Sequence, residues 1–390
     1  MTKARLSSYS YYVTEKIDIN KLNANNYIGV DNLLQNKNGI KISEYLPEEG
    51  TAIRFKKGDI LLGNIRPYLK KIWLATFDGG CSPDVLCIRC KNFKDSKFIF
   101  SVLSDDNFFE YVMKGSKGTK MPRGDKNHIM NYSFIDIEGK DEIGNFIYQI
   151  NEKILINNKI NDNLHQFLMQ IYIQKIECFN GIKPTIFDEN LKRKIPNGWK
   201  AIKINQLASI YSGYPFDSSN YDQGGSYKLI TIKNVQDSGI DLNSCDKIGN
   251  LPLDLPEYCK LSPGNILLSL TGNVGRVALM FTENCLLNQR VAIIHPKNIE
   301  ISPYLYCLFK SERIRIKMER IAGGTSQKNL SPIDTENIYI PYNESLILEF
   351  SKELYPLFNK IINCLEENRR LIAMRNDLLP LLINGQVTID

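Results

Sequence analysis

Phe55-Lys-Lys-Gly-Asp-Ile-Leu-Leu62 returns later in the chain as Leu261-Ser-Pro-Gly-Asn-Ile-Leu-Leu268, with Gly58 and Gly264 lying 206 positions apart. Each octet is a polar Gly-Asp or Gly-Asn corner followed by three branched apolar residues, the pattern of a turn feeding a strand. Working outward, Lys91-Asn92 is matched by Lys297-Asn298, and Gly118-Thr119 by Gly324-Thr325 at the same offset of 206. After each Gly-Thr comes a short β-branched and aromatic stretch (Tyr132 to Ile137; Asn337 to Tyr342), and a helical pattern follows both times. Two copies are too few for a solenoid, so the pattern predicts a pseudo-symmetric molecule of two similar modules. A duplicated module suggests a partner that offers two similar sites in a row.

Composition bounds the class. The 390 residues leave room for two or three domains, and 43% hydrophobic with 24% charged content is ordinary for a globular protein. A net charge of +6 permits a polyanionic partner without demanding one. Met1 to Tyr12 has no apolar targeting core, and no apolar run approaches a membrane span, so no membrane partner is expected. Nine cysteines without a disulfide framework point to a reducing, cytoplasmic setting.

The hydrophobic period changes after the first β-rich block. Ile143, Ile147, Ile150, Ile154, Asn157, Asn161, Leu164, Leu168 and Ile171 fall at the 4, 3 spacing of a packed long helix. At about 1.5 Å per residue such a helix reaches about 55 Å, longer than a small domain is wide. The spacing recurs at Ile347, Phe350, Leu354, Leu357, Ile361, Cys364, Asn368, Leu371, Arg375, Leu378 and Leu382, with Pro356 expected to kink that helix or to start its main part. Each helix could cap its own block. Length favours instead an antiparallel coiled-coil pair separating the blocks, since a cap does not need ten turns. The expected class is therefore α+β, with the internal repeat arranged as domain 1–141, helix 142–180, linker 181–194, domain 195–343 and helix 344–390. Ile150, Leu164, Leu168, Ile361, Asn368 and Leu371 are its expected helix-packing positions.

Catalytic signatures are missing: there is no phosphate-cradling Gly-rich loop ending in Lys-Ser/Thr, no zinc-protease helix motif and no aminomethyltransferase tetrapeptide. Only His128, His165 and His295 could serve imidazole acid–base chemistry. Pro83-Asp84 before Lys91 faintly resembles a nuclease core, but Arg89 stands where the second carboxylate would be needed. Cys87 and Cys90, in a strand-like run, would point to opposite faces, so no metal is expected there. Two kinds of loop carry more. Lys114-Gly-Ser-Lys-Gly-Thr-Lys-Met-Pro-Arg-Gly-Asp-Lys126 sets five cations among glycines, and its counterpart is Gly323-Gly-Thr-Ser-Gln-Lys-Asn329. Glycine admits a phosphate close to backbone N–H groups, Lys and Arg neutralise it, and Gln or Asn can read adenine edges. Such stretches are often mere solvated surface, but recurrence at one place in both modules favours function. Lys117, Lys120, Arg123, Gln327 and Lys328 are the candidates there. Polar turns after the Ile-Leu-Leu strands, Asn64-Ile-Arg-Pro-Tyr-Leu-Lys-Lys71 and Thr271-Gly-Asn-Val-Gly-Arg276, add Arg66, Tyr68, Lys70, Asn273 and Arg276. Tyr214 joins them from an aromatic edge shared with Tyr211, Phe216 and Tyr221, although core packing also claims some of these rings.

These motifs, with Ile195-Pro-Asn-Gly-Trp199, Leu270-Thr-Gly-Asn-Val-Gly-Arg276, Asn288-Gln-Arg-Val291, Ile338-Tyr-Ile-Pro341 and the ending Arg375-Asn-Asp-Leu-Leu-Pro-Leu-Leu-Ile-Asn-Gly385, resemble the specificity (S) subunits of type I restriction–modification systems. Gly63-Asn-Ile-Arg-Pro-Tyr-Leu-Lys-Lys-Ile-Trp73 and Phe77-Asp-Gly-Gly-Cys81 resemble a variant of the same module in the first half. The entry to the second helix departs from the family pattern, being Pro341-Tyr-Asn-Glu-Ser345. The resemblance implies two target recognition domains, each reading half of a split, asymmetric double-stranded DNA site. It implies long helices that set the gap and dock two modification (methylase) subunits. It further implies a chain with no reaction and no cofactor of its own. S-adenosylmethionine would serve the adenine methyltransferases, which flip the target base, and ATP the restriction (nuclease/translocase) subunits. The main rival reading is a protein–protein scaffold with two similar binding modules.

Overall fold

Gly58 and Gly264 adopt φ of +90° and +93° in the computed structural model, which describes residues 2–179, 184–324 and 328–389. That backbone region is cheap only for glycine. The next residue completes the corner: the Asp59 carboxylate accepts the Lys56 N–H at 2.7 Å, and the Asn265 side chain accepts the Ser262 N–H at 2.8 Å. From each corner the chain enters a central strand, Ile60–Gly63 or Ile266–Ser269.

Helices and sheets are mixed in an α+β arrangement that divides into two units, Met1–Ile156 with Asn368–Asp390, and Asn157–Glu367. In the first unit, antiparallel strands Ser10–Tyr12, Val85–Cys90, Ile60–Gly63 and Ile72–Leu74 lie side by side in that order. A second sheet runs Lys16–Asp18, Thr51–Phe55, Gly79–Cys81 and Tyr27–Ile28, its last pair parallel. The two inner strands of the first sheet are largely apolar on both faces because both faces are covered. Ile60, Leu62, Leu86 and Ile88 pack with Phe98 and Phe108, whereas Leu61, Val85 and Cys87 pack with Phe55 and Trp73. Cys90 belongs to the former face and Cys87 to the latter, so the strand separates the two thiols. Arg89, in place of a metal-binding carboxylate, makes a paired bond to buried Asp59 at 2.7 and 2.8 Å.

In the second unit Ala208–Ser212, Val291–Pro296, Ile266–Ser269 and Val277–Leu279 form an antiparallel sheet. Asp246–Ile248, Tyr227–Ile230, Cys285–Leu287 and Lys260–Leu261 form another, with the central pair parallel. Thr2–Arg5 pairs with Ser133–Asp136, and Lys200–Lys203 with Tyr339–Tyr342. The stretch expected as a linker, 181–194, carries most of a hairpin, Thr185–Asp188 against Arg193–Pro196. The Asp188 carboxylate turns its corner by accepting the N–H groups of Asn190 and Leu191, both at 2.9 Å. Gly181, where that expected linker begins, lies outside the described residues.

The long helices are Lys140–Tyr172, continued by a π-turn Ile173–Glu177, and Glu344–Ile383. The second starts at Glu344 and runs through Pro356 rather than beginning there. Neither helix lies wholly in one unit. In the first unit Ile143, Ile147, Ile150 and Ile154 share a core with Leu379, Leu382 and Ile383. There Asn368 donates to the Ile154 carbonyl at 3.4 Å and Arg375 to the Asn151 side chain at 2.9 Å. In the second unit Leu168, Tyr172 and Ile176 share a core with Phe350, Leu354 and Ile361. There Asn157 donates to Glu367 at 2.8 Å, and Lys175 pairs with Glu353 at 2.7 Å. Among the described residues no helix is long and apolar enough to cross a membrane.

Candidate nucleic-acid interface

In each unit the two candidate loops, far apart in sequence, are laced together. In the first, Arg123 bridges both Ile65 and Lys117, exchanging N–H to carbonyl bonds of 2.9 Å each way with Lys117. The Arg66 N–H reaches the Pro122 carbonyl at 2.8 Å. In the second, Asn329 bridges Thr271 and Gly323, and the Leu330 N–H reaches the Leu270 carbonyl at 2.8 Å. Gly118 and Gly324, with φ of +92° and +104°, allow the return of each loop.

The cations of the first unit are largely spoken for by carboxylates of the same chain. Arg66 sits in the left-handed region at φ +52° as the cap of the short turn Pro67–Leu69, and Tyr68 beside it is half exposed. Lys70 pairs with Asp106 at 3.0 Å, and Lys37 reaches the same carboxylate at 2.9 Å. Burial pushes the Asp106 carboxyl up, but the bonds from Lys37 and Lys70 outweigh it and hold the group below its ordinary range. Lys117 pairs with Asp125 at 2.8 Å and Arg123 with Asp84 at 3.3 Å. The Lys117 ammonium, then the N–H groups of His128 and Asn127, hold the half-buried Asp125 carboxyl at about 2. Lys120 is exposed. Beside these groups a cleft of about 500 Å³ is lined by Asp31, Lys41, Glu44, Arg66, Lys71 and Asp84. Burial lowers the Lys71 pKa, and its ammonium donates to the Val30 carbonyl at 2.7 Å.

The second unit is arranged differently. The Tyr214 hydroxyl donates to Asp254 at 2.9 Å and its ring packs edge-on against Phe216, with centroids 5.0 Å apart. Arg276 faces inward: it donates to Gln236 at 2.9 Å and approaches Asp237 at 3.3 Å. With its amide turned to satisfy both groups, Asn273 accepts from the same guanidinium at 3.1 Å. Arg276 and Asn273 thus brace the turn that carries them. Lys328 donates to the Glu319 carbonyl at 3.4 Å, while Gln327 lies outside the described residues. A cleft of about 610 Å³ opens beside this turn, lined by Ser212, Thr271, Gln289, Arg290, Asn329 and Ser331. Gln289 and Arg290 were not among the candidates. The available signal was a polar Asn-Gln-Arg run immediately before the apolar strand Val291–Pro296.

Of the helix-packing candidates, Ile150, Leu168, Ile361 and Asn368 are buried, and Leu164 and Leu371 are partly buried against the cores. Among the described residues no group of three or more His, Cys, Asp or Glu side chains is placed to hold a metal ion.

Comparison with known proteins agrees with the sequence resemblance. Residues 196–367 match the type I restriction modification DNA specificity domain. The chain is 23% identical over 365 residues to the MjaIX type I restriction enzyme specificity subunit of Methanocaldococcus jannaschii, covering 90% of this chain and 82% of that protein. It is 25% identical over 196 residues to the HindI specificity subunit of Haemophilus influenzae, covering 50% of this chain and 42% of that one. The crystal structure of a type I restriction-modification system S subunit from M. genitalium superposes with a TM-score of 0.58 at 16% identity, over 100% of this chain and 96% of that one, a likeness of fold. The resemblance read from the motifs therefore holds: residues 196–367 match the type I restriction modification DNA specificity domain, and the chain along most of its length is similar to type I restriction enzyme specificity subunits.

Proposed function

We propose that this chain is the DNA-reading specificity subunit of a type I restriction–modification complex, recognising a split, asymmetric site and catalysing nothing itself. The observation that carries the reading is the matched lacing of polar, cation-bearing loops at Ile65–Arg123 and Thr271–Asn329. In both places a glycine-bearing loop and a strand-end turn form one surface of donors and acceptors, as contact with phosphates and base edges requires. The two copies share a frame but carry different side chains, so their half-sites differ. In this reading 1–141 and 195–343 are target recognition domains, joined through 181–194 and the helices 142–180 and 344–390. The helices pair antiparallel as a coiled coil, set the gap between half-sites and dock two methylase subunits and the restriction subunits. S-adenosylmethionine and ATP then belong to those partners, and the complex works in the cytoplasm, where the DNA is.

The test is expression with its methylase in a methylation-free bacterium, followed by single-molecule sequencing of the host genome. The expected result is N6-adenine methylation at one split sequence with a fixed gap and unlike halves. A continuous palindrome would contradict the two-module reading. Methylation no higher than with the methylase alone would favour the protein–protein scaffold.

A further inference from the structure

We infer that Gln289, Arg290 and Asn329 are the base-reading residues of the second unit, with Arg290 taking a guanine. The inference rests on the proposed function and names the residues that give one half-site its identity. Three observations lead there. The side chains of Gln289, Arg290 and Asn329 are exposed and engage no other described residue, in contrast to Arg276, which is bound to Gln236, Asp237 and Asn273. Their backbones, however, are fixed. The Gln289 N–H donates to the Tyr214 carbonyl at 3.1 Å, the Arg290 carbonyl accepts the Leu270 N–H at 3.0 Å, and Asn329 is bridged on two sides. Free side chains on a held backbone are what a reading site requires, because the contact geometry is set before the ligand arrives. Finally, all three line one cleft of about 610 Å³ that among the described residues has no carboxylate in its wall, and the Thr271 hydroxyl is shielded from solvent with no partner among the described residues.

The chemistry narrows the ligand to purine edges. A guanidinium fork matches guanine O6 and N7, and a Gln or Asn amide matches adenine N6 and N7. The first unit does not repeat this arrangement at the matching positions. At the positions 206 residues earlier stand Pro83 and Asp84, and Arg123 stands where the second unit has Asn329. There the Asp84 carboxylate already holds Arg123 at 3.3 Å, and a carboxylate repels the acceptor edge of guanine. The guanine contact of Arg290 thus belongs to one half-site only.

The experiment uses the complex with its methylase in the methylation-free host, comparing the wild-type chain with Arg290→Ala and Arg290→Lys. The wild type should methylate a split motif with a guanine in one half. Arg290→Ala should relax that single position, lowering discrimination roughly 5- to 150-fold, and leave the other half intact, which shows that the chain is folded. Arg290→Lys keeps the charge but loses the two-toothed geometry, so it should relax the same position at near-normal methylation. If Arg290→Ala abolishes methylation altogether, the Lys variant's motif decides. An unchanged motif in the readable variants overturns the inference, as does even loss across all sites with Lys restoring it, the behaviour of a phosphate contact. A wild-type complex that adds no methylation overturns the functional reading and this inference together.

Discussion

Gly58 and Gly264 make the same corner under different crowding, and that difference can be measured. A Cβ at Gly264 would meet only Ile362 at 3.8 Å, so Gly264→Ala should cost the backbone strain alone, about 1–2 kcal/mol in urea denaturation. At Gly58 the added atom would lie 2.3 Å from the exposed Phe93 ring. Gly58→Ala should therefore cost more, and Gly58→Ala with Phe93→Ala should return to the Gly264→Ala level. A second single-residue effect concerns acid. The His165 ring accepts or donates at Tyr306 over 2.9 Å, and burial, with Lys310 nearby, lowers its pKa to about 4. An unfolded His titrates near 6.5 and binds a proton that the folded one refuses. Stability should thus fall as pH drops below about 6.5 and level off near 4, with His165→Gln flattening that slope in denaturation series between pH 7.5 and pH 4.

At the scale of elements, the helical seam was legible because its period is long and regular. Ile143, Ile147, Ile150 and Ile154 are all buried, as are Ile347, Phe350, Leu354 and Ile361. Ile361→Asp places an unpaired carboxylate in a fully covered position and should destabilise by about 3–5 kcal/mol. Asn161 behaves in the opposite sense: it is buried and neither of its side-chain polar atoms finds a partner among the described residues. Asn161→Leu should stabilise by about 1–3 kcal/mol, read as a higher denaturation midpoint. What the sequence hid was long-range. Nothing near Arg276 signals that Gln236 and Asp237, about forty residues earlier, will turn it inward, and Asp106 and Asp125 likewise claim Lys70 and Lys117 only once the chain is folded. A list of loop cations overstates the charge on offer for this reason. The hairpin at 185–196 was missed because its strands are short and its corner is made by one Asp in a polar run. Gln289 and Arg290 stand in a recognisable motif, Asn288-Gln-Arg-Val291, but only the fold brings them beside Thr271 and Asn329 and so marks them as contact candidates.

For the molecule as a whole, the proposed ruler makes a quantitative demand. An insertion of a few residues after Phe179 should change the permitted gap between half-sites while leaving both half-sites unaltered, as read from methylated genomes. An unchanged gap would mean that distance is set elsewhere.

The sharing of both helices between units has a consequence for the order in which the protein is made. Ile143 to Ile154 are covered by Leu379, Leu382 and Ile383, which leave the ribosome some 225 residues later. At about 5–20 residues per second that delay is on the order of 10–50 s. The block synthesised first is thus the one completed last, whereas 157–367 holds all of its own strands and helix segments by the time Glu367 emerges. Chains truncated after Glu367 should accordingly lose residues 140–156 to brief proteolysis while the later unit resists, and protection of both should come only when residues 368–389 are present. During that interval an apolar stripe is open to chaperones, and to any partner subunit able to reach it before Leu379, Leu382 and Ile383 do.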